Sequence, residues 1–105
     1  MAVIKATDSD FASILKSNQH VVVKYFADWC GNCRLFSPKF KRLSEDEHFA
    51  TVTFVDVNAE TSPEARKMAG VTNLPFFAVF KNGNLVDTVA ASKEEAVRTL
   101  IHKLV

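Results

Sequence analysis

The stretch from His20 to Ala27, HVVVKYFA, constrains this chain more than any other. It is β-branched and aromatic, and apolar at nearly every position except Lys24. A strand with one wet face alternates apolar and polar residues; an almost unbroken apolar run describes a strand covered on both faces. Such a strand belongs in the middle of a sheet with helices packed on each side.

The neighbouring segments supply those layers. Val3-Ile4-Lys5 reads as a short first strand, and Asp8-Ser9-Asp10 offers N-cap chemistry ahead of Phe11, Ile14 and Leu15, which share one helical face. From Gly31 onward Leu35, Phe36, Phe40 and Leu43 keep helical spacing, with Pro38 expected to kink the helix. Thr51 to Val57 is a further strand; Ser62-Pro63 then gives an N-cap followed by proline at the first helical position, and Gly70 gives a stop. Phe76 to Lys81 and Leu85 to Val89 flank Asn82-Gly83, a two-residue hairpin signal that makes these strands antiparallel. Ser92 and Glu95 form a capping box before Ala96, Val97, Leu100, Ile101 and Leu104, the apolar face of a closing helix. The order is βαβαβαββα, a mixed α/β sandwich with right-handed crossovers.

The 105 residues are enough for one core and leave no room for a second, and no Gly, Ser or Pro-rich stretch marks a linker, so a single domain spanning 1–105 is expected. Thirteen basic residues stand against twelve acidic ones without any basic run, which removes the electrostatic footprint of nucleic-acid binding. No apolar run approaches the roughly 20 residues needed to cross a bilayer, and the start, Met1 to Asp8, lacks the basic and apolar regions of a signal peptide. The expectation is a cytoplasmic protein without a membrane partner.

Two cysteines, Cys30 and Cys33, stand as C-x-x-C at the hand-over from the buried strand to the next helix. A disulfide scaffold would spread more cysteines along the chain to close long loops. Zinc would need four ligands, and His20, His48 and His102 lack the spacing to complete a site, so no metal is expected. At a helix N-terminus the unpaired N–H groups and the helix dipole stabilise a thiolate, which makes Cys30 the nucleophile; Cys33, one turn further in, is placed to resolve a mixed disulfide formed there.

Phe26-Ala27-Asp28-Trp29-Cys30-Gly31-Asn32-Cys33, Pro38, Asn73-Leu74-Pro75 and Phe80-Lys81-Asn82-Gly83 closely resemble the motifs of the thioredoxin family, in order and spacing, over essentially the whole chain. The resemblance implies the thioredoxin fold, a central mixed five-stranded sheet flanked by four helices. It also implies a protein disulfide reductase with no bound cofactor, a monomer recharged by thioredoxin reductase with NADPH upstream. Its substrates would be proteins such as peroxiredoxin, ribonucleotide reductase and methionine sulfoxide reductase. By the same matching Trp29, Gly31 and Asn32 flank the dithiol, Asn73, Leu74 and a cis Pro75 pair with bound substrate, and Val89, Ala90 and Ala91 line the far side of the groove.

Three residues depart from the family pattern. Asn32 replaces the usual proline between the cysteines, restoring a backbone N–H near the sulfurs and shifting the redox poise. Phe76 follows Pro75 where a threonine is common, which would add apolar bulk beside the groove and narrow substrate preference. Lys24 occupies the position of a buried aspartate that exchanges protons with the resolving cysteine. Its ammonium snorkels to water, lies buried as a cation that acidifies both thiols, or is left neutral by burial and able to take a proton from Cys33, which makes Lys24 a candidate catalytic residue; Asp28, Asp56 and Glu60 are the acids that could lie near it. Two further functions are open at this point. One is a more oxidising, protein disulfide isomerase-like activity, against which the absence of a signal peptide and of an ER retention signal at His102-Lys103-Leu104-Val105 counts. The other is a non-catalytic binding module, against which the intact cysteine pair counts.

Overall fold

In the computed structural model of the chain, β2 (His20–Phe26) lies third in a five-stranded sheet of order β1-β3-β2-β4-β5. Residues 3–105 are described; Met1 and Ala2, at the start inspected for a signal peptide, lie outside the described residues. β1 (Ile4–Ala6) and β3 (Thr53–Asn58) run parallel to one another, and β3 runs parallel to β2. β4 (Phe76–Lys81) and β5 (Asn84–Ala90) complete the sheet in antiparallel fashion. Four helices, α1 (Phe11–Ser17), α2 (Gly31–Ser44), α3 (Pro63–Ala69) and α4 (Glu94–Ile101), alternate with these strands among the described residues, in the expected order. A short 3-10 turn (Glu47–Phe49) leads into β3.

The period of two along each strand divides the core into two layers. Val21, Val23 and Tyr25 point to one face, where Phe11 and Leu15 of α1 and Ala65 and Ala69 of α3 pack. Val22 points to the other, under Phe36, Phe40 and Leu43 of α2 and Val97, Leu100 and Ile101 of α4. Both faces of β2 are therefore dry, as its composition requires. The same alternation places Lys24 on the α2 side. The tight turn after β4 is formed by Asn82 and Gly83 at φ 53° and 83°, the left-handed values that an asparagine-glycine hairpin needs.

Several local readings are corrected. β1 begins at Ile4 rather than Val3, β3 at Thr53 rather than Thr51, and β5 extends from Asn84 to Ala90. The Ser92–Glu95 capping box is absent: α4 starts one residue later, with Lys93 at the N-cap and no side chain bonded there. Asp10 occupies the N-cap of α1, but its carboxylate accepts a hydrogen bond from the Thr7 amide instead of from the helix.

Capping of α3 is the most informative case. Ser62 holds the N-cap position, yet its hydroxyl is buried with no hydrogen-bond partner among the described residues. The amides of Glu64 and Ala65 donate to the Asp8 carboxylate at 3.1 and 2.9 Å, so a residue ahead of α1 caps α3. Asp8→Ala should accordingly lower stability by about 1 kcal/mol in urea denaturation, the ordinary worth of a cap. Ser62→Ala should be near neutral, since it removes an unpaired buried hydroxyl. Equal losses from the two variants would refute this assignment.

Candidate active site

β2 delivers the chain to the sheet's edge at Phe26, and the turn that follows brings Cys30 to the N-cap of α2, its amide donating to the Ala27 carbonyl at 3.1 Å. Cys30 and Cys33 are joined as a disulfide with their Cα atoms 5.3 Å apart. The Cys33 amide donates to Cys30 Sγ at 3.2 Å, so one of the orphan donors of the first helical turn is aimed at that sulfur. A charge developing on Cys30 would meet both this N–H and the positive end of a 14-residue helix. The turn is pinned from below, where the Arg34 guanidinium donates to the Asp28 carbonyl.

Leu74–Pro75 is a cis peptide. The Leu74 side chain packs on Ala27 and both cysteines. Beside it a cleft of about 230 Å³ is walled by Asn32, Asn73, Leu74 and Pro75 on one side and by Ala90, Ala91 and Ser92 on the other. The structure thus brings together most of the residues singled out by family resemblance. Gly31 opens α2 in an exposed position outside this lining. Trp29 is 67% exposed rather than part of the core, and its indole N–H donates to Glu60 Oε2 at 2.7 Å.

Two expectations about the cleft fail. Val89 packs against the α2 and α4 layer and is absent from the cleft, because only alternate residues of β5 turn toward it. Phe76 points into the opposite core layer, where its ring meets Tyr25 edge-on at 6.3 Å, so it adds no bulk beside the cleft.

Lys24 does not snorkel: it is 1% exposed, beneath α2. Its partner is Asp56, directly opposite in the β2–β3 register, with Nζ 3.3 Å from Oδ1. The ammonium also donates to Ser37 Oγ at 2.6 Å, and Ser37 Oγ donates to the Cys33 carbonyl at 3.2 Å, which ties the pair to the resolving position. The rings of Phe26 and Phe40 lie 5.8 and 5.5 Å from Nζ. Burial lowers the affinity of Lys24 for its proton and raises that of Asp56, and the attraction between the two charges opposes both changes. A lone cation acidifying both thiols is therefore not what the structure contains, because a carboxylate lies in contact with it. Sequence reasoning named Asp56 as a possible neighbour but missed Ser37 and Ser92. A signal for the pair existed in two apolar strands that each carry one charge, of opposite sign.

Among the described residues no group of three or more His, Cys, Asp or Glu side chains is arranged to hold a metal, and no helix is long and apolar enough to cross a membrane.

The thioredoxin family model matches residues 2–103. The chain belongs to the thioredoxin family. It is 32% identical over 103 residues to thioredoxin 1 of Plasmodium falciparum, covering 98% of this chain and 97% of that one. Among solved structures it resembles Schistosoma mansoni thioredoxin, with a TM-score of 0.89 at 33% identity, covering 99% of this chain and 96% of the other. The oxidised mitochondrial thioredoxin 3 of Saccharomyces cerevisiae has a TM-score of 0.88 at 28% identity, with 97% and 95% covered. The fold is the thioredoxin fold, and the chain is a thiol-disulfide oxidoreductase. Thioredoxins need no bound cofactor, are generally reduced by thioredoxin reductase and act on disulfide substrates.

Proposed function

We propose that the chain is a protein disulfide reductase in which Cys30 attacks a substrate disulfide and Cys33 releases the product. The observation that carries this reading is the placement of Cys30 Sγ at the helix N-cap, accepting from the Cys33 amide, beside a cleft bounded by the cis Leu74–Pro75 peptide. In this reading a substrate chain lies along Asn73, Leu74 and Pro75 with Ala90 opposite, and Trp29, held by Glu60, offers a flat apolar surface to it. Gly31, exposed and without a side chain, lets that chain approach the sulfurs closely. The protein works as a monomer forming a single domain in the cytoplasm. Thioredoxin reductase recharges it from NADPH, and its substrates include peroxiredoxin, ribonucleotide reductase and methionine sulfoxide reductase. The test is an insulin-reduction assay coupled to thioredoxin reductase: NADPH consumption that depends on the chain supports the reading, and no consumption above background removes it.

Asn32 favours a second, more oxidising poise for the same dithiol. It is the second helical residue of α2, so its N–H is one of the unpaired donors of the first turn, beside the Cys33 amide that meets the N-cap sulfur, and can help stabilise the reduced form. Asn32→Pro deletes that donor and stiffens the turn, so equilibration with glutathione should show a more reducing dithiol. A shift of about 30 mV corresponds to roughly 1.4 kcal/mol. An unchanged or more oxidising potential would contradict the argument.

A further inference from the structure

A groove of about 600 Å³ runs between the end of β3 and α3, apart from the cleft at Pro75. Buried Ala59 and Val71 give it an apolar floor, and Glu60, Arg66 and Lys67 supply its charges. It adjoins the redox site at two points. Glu60 accepts the indole N–H of Trp29, the residue before Cys30. Val71 stands two residues before Asn73, which walls the cleft at Pro75, so the chain between them spans at most about 7 Å.

The two cations of the groove have no counter-charge. On the other layer of the fold Arg42 pairs with Glu94 and Arg98 with Asp46. Arg66 and Lys67, by contrast, take part in no ion pair and no side-chain hydrogen bond among the described residues. Glu64 precedes Lys67 by three positions on α3, a spacing at which helical side chains meet, and still makes no such contact. Arg66 is half-buried, which leaves its charge less screened than that of exposed Lys67. Glu60, the acid in the lining, is turned toward Trp29 by the 2.7 Å hydrogen bond to its ring. With a net charge of only +1 on the whole chain, the positive potential is local to this groove.

We propose that the groove is a specificity subsite of the reductase, receiving an extended acidic segment beside the reacting cysteine of a substrate protein, with Arg66 and Lys67 pairing to its carboxylates. The inference rests on the reductase reading and narrows its substrate class. A substrate chain that leaves the cleft past Asn73 meets Val71 next and then the two cations of α3, while Trp29, tied to Glu60, walls the passage. Repulsion from Glu60 keeps the acidic side chains on the α3 side. Charges at the rim of an interface act chiefly on the rate of encounter and on its salt dependence, so the subsite sorts substrates without adding a chemical step.

The test uses three symmetric peptide disulfides that differ only near the cysteine. One carries two glutamates about three and four residues before it, one carries them as far after it, and one carries glutamines instead, the spacing being about 10–14 Å of extended chain. Single-turnover reduction by the reduced protein is read as released peptide thiol. One acidic peptide, and only one, should react about fivefold faster than the glutamine peptide in about 0.01 M salt, because the groove lies to one side of the dithiol; the ratio should fall toward one near about 1 M. Arg66→Gln/Lys67→Gln should bring that ratio within about 1.5-fold of one. Lys16→Gln/Lys41→Gln, which removes the same charge from exposed positions on α1 and α2, should retain the preference. Equal rates for the three peptides, equal acceleration of both acidic ones, or a preference that survives Arg66→Gln/Lys67→Gln would overturn the proposal. Failure of the wild type to reduce even the glutamine peptide would instead remove the reductase reading on which it rests.

Discussion

Cys30→Ser is expected to abolish disulfide reduction outright, whereas Cys33→Ser should stop after one attack and accumulate a covalent complex with the substrate. The asymmetry comes from the helix. Cys30 is the N-cap residue of α2 and its sulfur accepts the Cys33 amide at 3.2 Å, while Cys33 lies inside the first turn and faces the cleft of Lys24 and Asp56. The N-cap sulfur is therefore the one whose thiolate the unpaired donors and the dipole stabilise, and the thiolate is the attacking species. A serine hydroxyl neither ionises at neutral pH nor forms a disulfide, so loss at position 30 leaves no first step. At position 33 the first step survives, and the mixed disulfide has no internal thiol to resolve it. Intact mass spectrometry after brief exposure to an oxidised peptide checks both statements. Turnover by Cys30→Ser at a rate comparable with wild type would end this account, as would a mixed disulfide on Cys33 in that variant with ordinary kinetics.

The largest loss of stability is expected at Phe77. Its ring is fully buried between the sheet and α2, with the Phe36 and Phe40 rings 4.9 and 5.8 Å away at tilted angles. Phe77→Ala removes the transfer free energy of a phenyl group and opens a cavity that rigid neighbours fill only in part, a combined cost of about 3–5 kcal/mol. For a domain whose whole stability is of the order of 5–15 kcal/mol, that is a large fraction, and the melting temperature should fall by roughly 15–30 °C. Leu35→Ala, one residue before Phe36 but 73% exposed, should change stability by no more than about 0.5 kcal/mol. Calorimetry on the two variants tests the layer assignment. A Phe77 cost below about 1.5 kcal/mol would mean that the site collapses around the gap.

What the sequence determined by itself is what short-range periodicity and chain connectivity can encode. The dry strand at His20, the hairpin at Asn82-Gly83, the stop at Gly70 and the hand-over from strand to helix at Cys30 each depend on residues within a few positions of one another. Together they specify the element order and the location of the redox pair. The tertiary structure alone decided which side chains meet across elements. Asp8 caps α3 because folding brings residues more than fifty positions apart into contact, and no local pattern can prefer it over the adjacent Ser62. Lys24 meets Asp56 because parallel pairing of β2 and β3 takes one particular register, and a shift of one residue would send the carboxylate to the opposite face. Val89 falls away from the cleft that Ala90 lines because a strand residue's surroundings are set by the parity of its position in the assembled sheet, which is fixed only when both faces are packed.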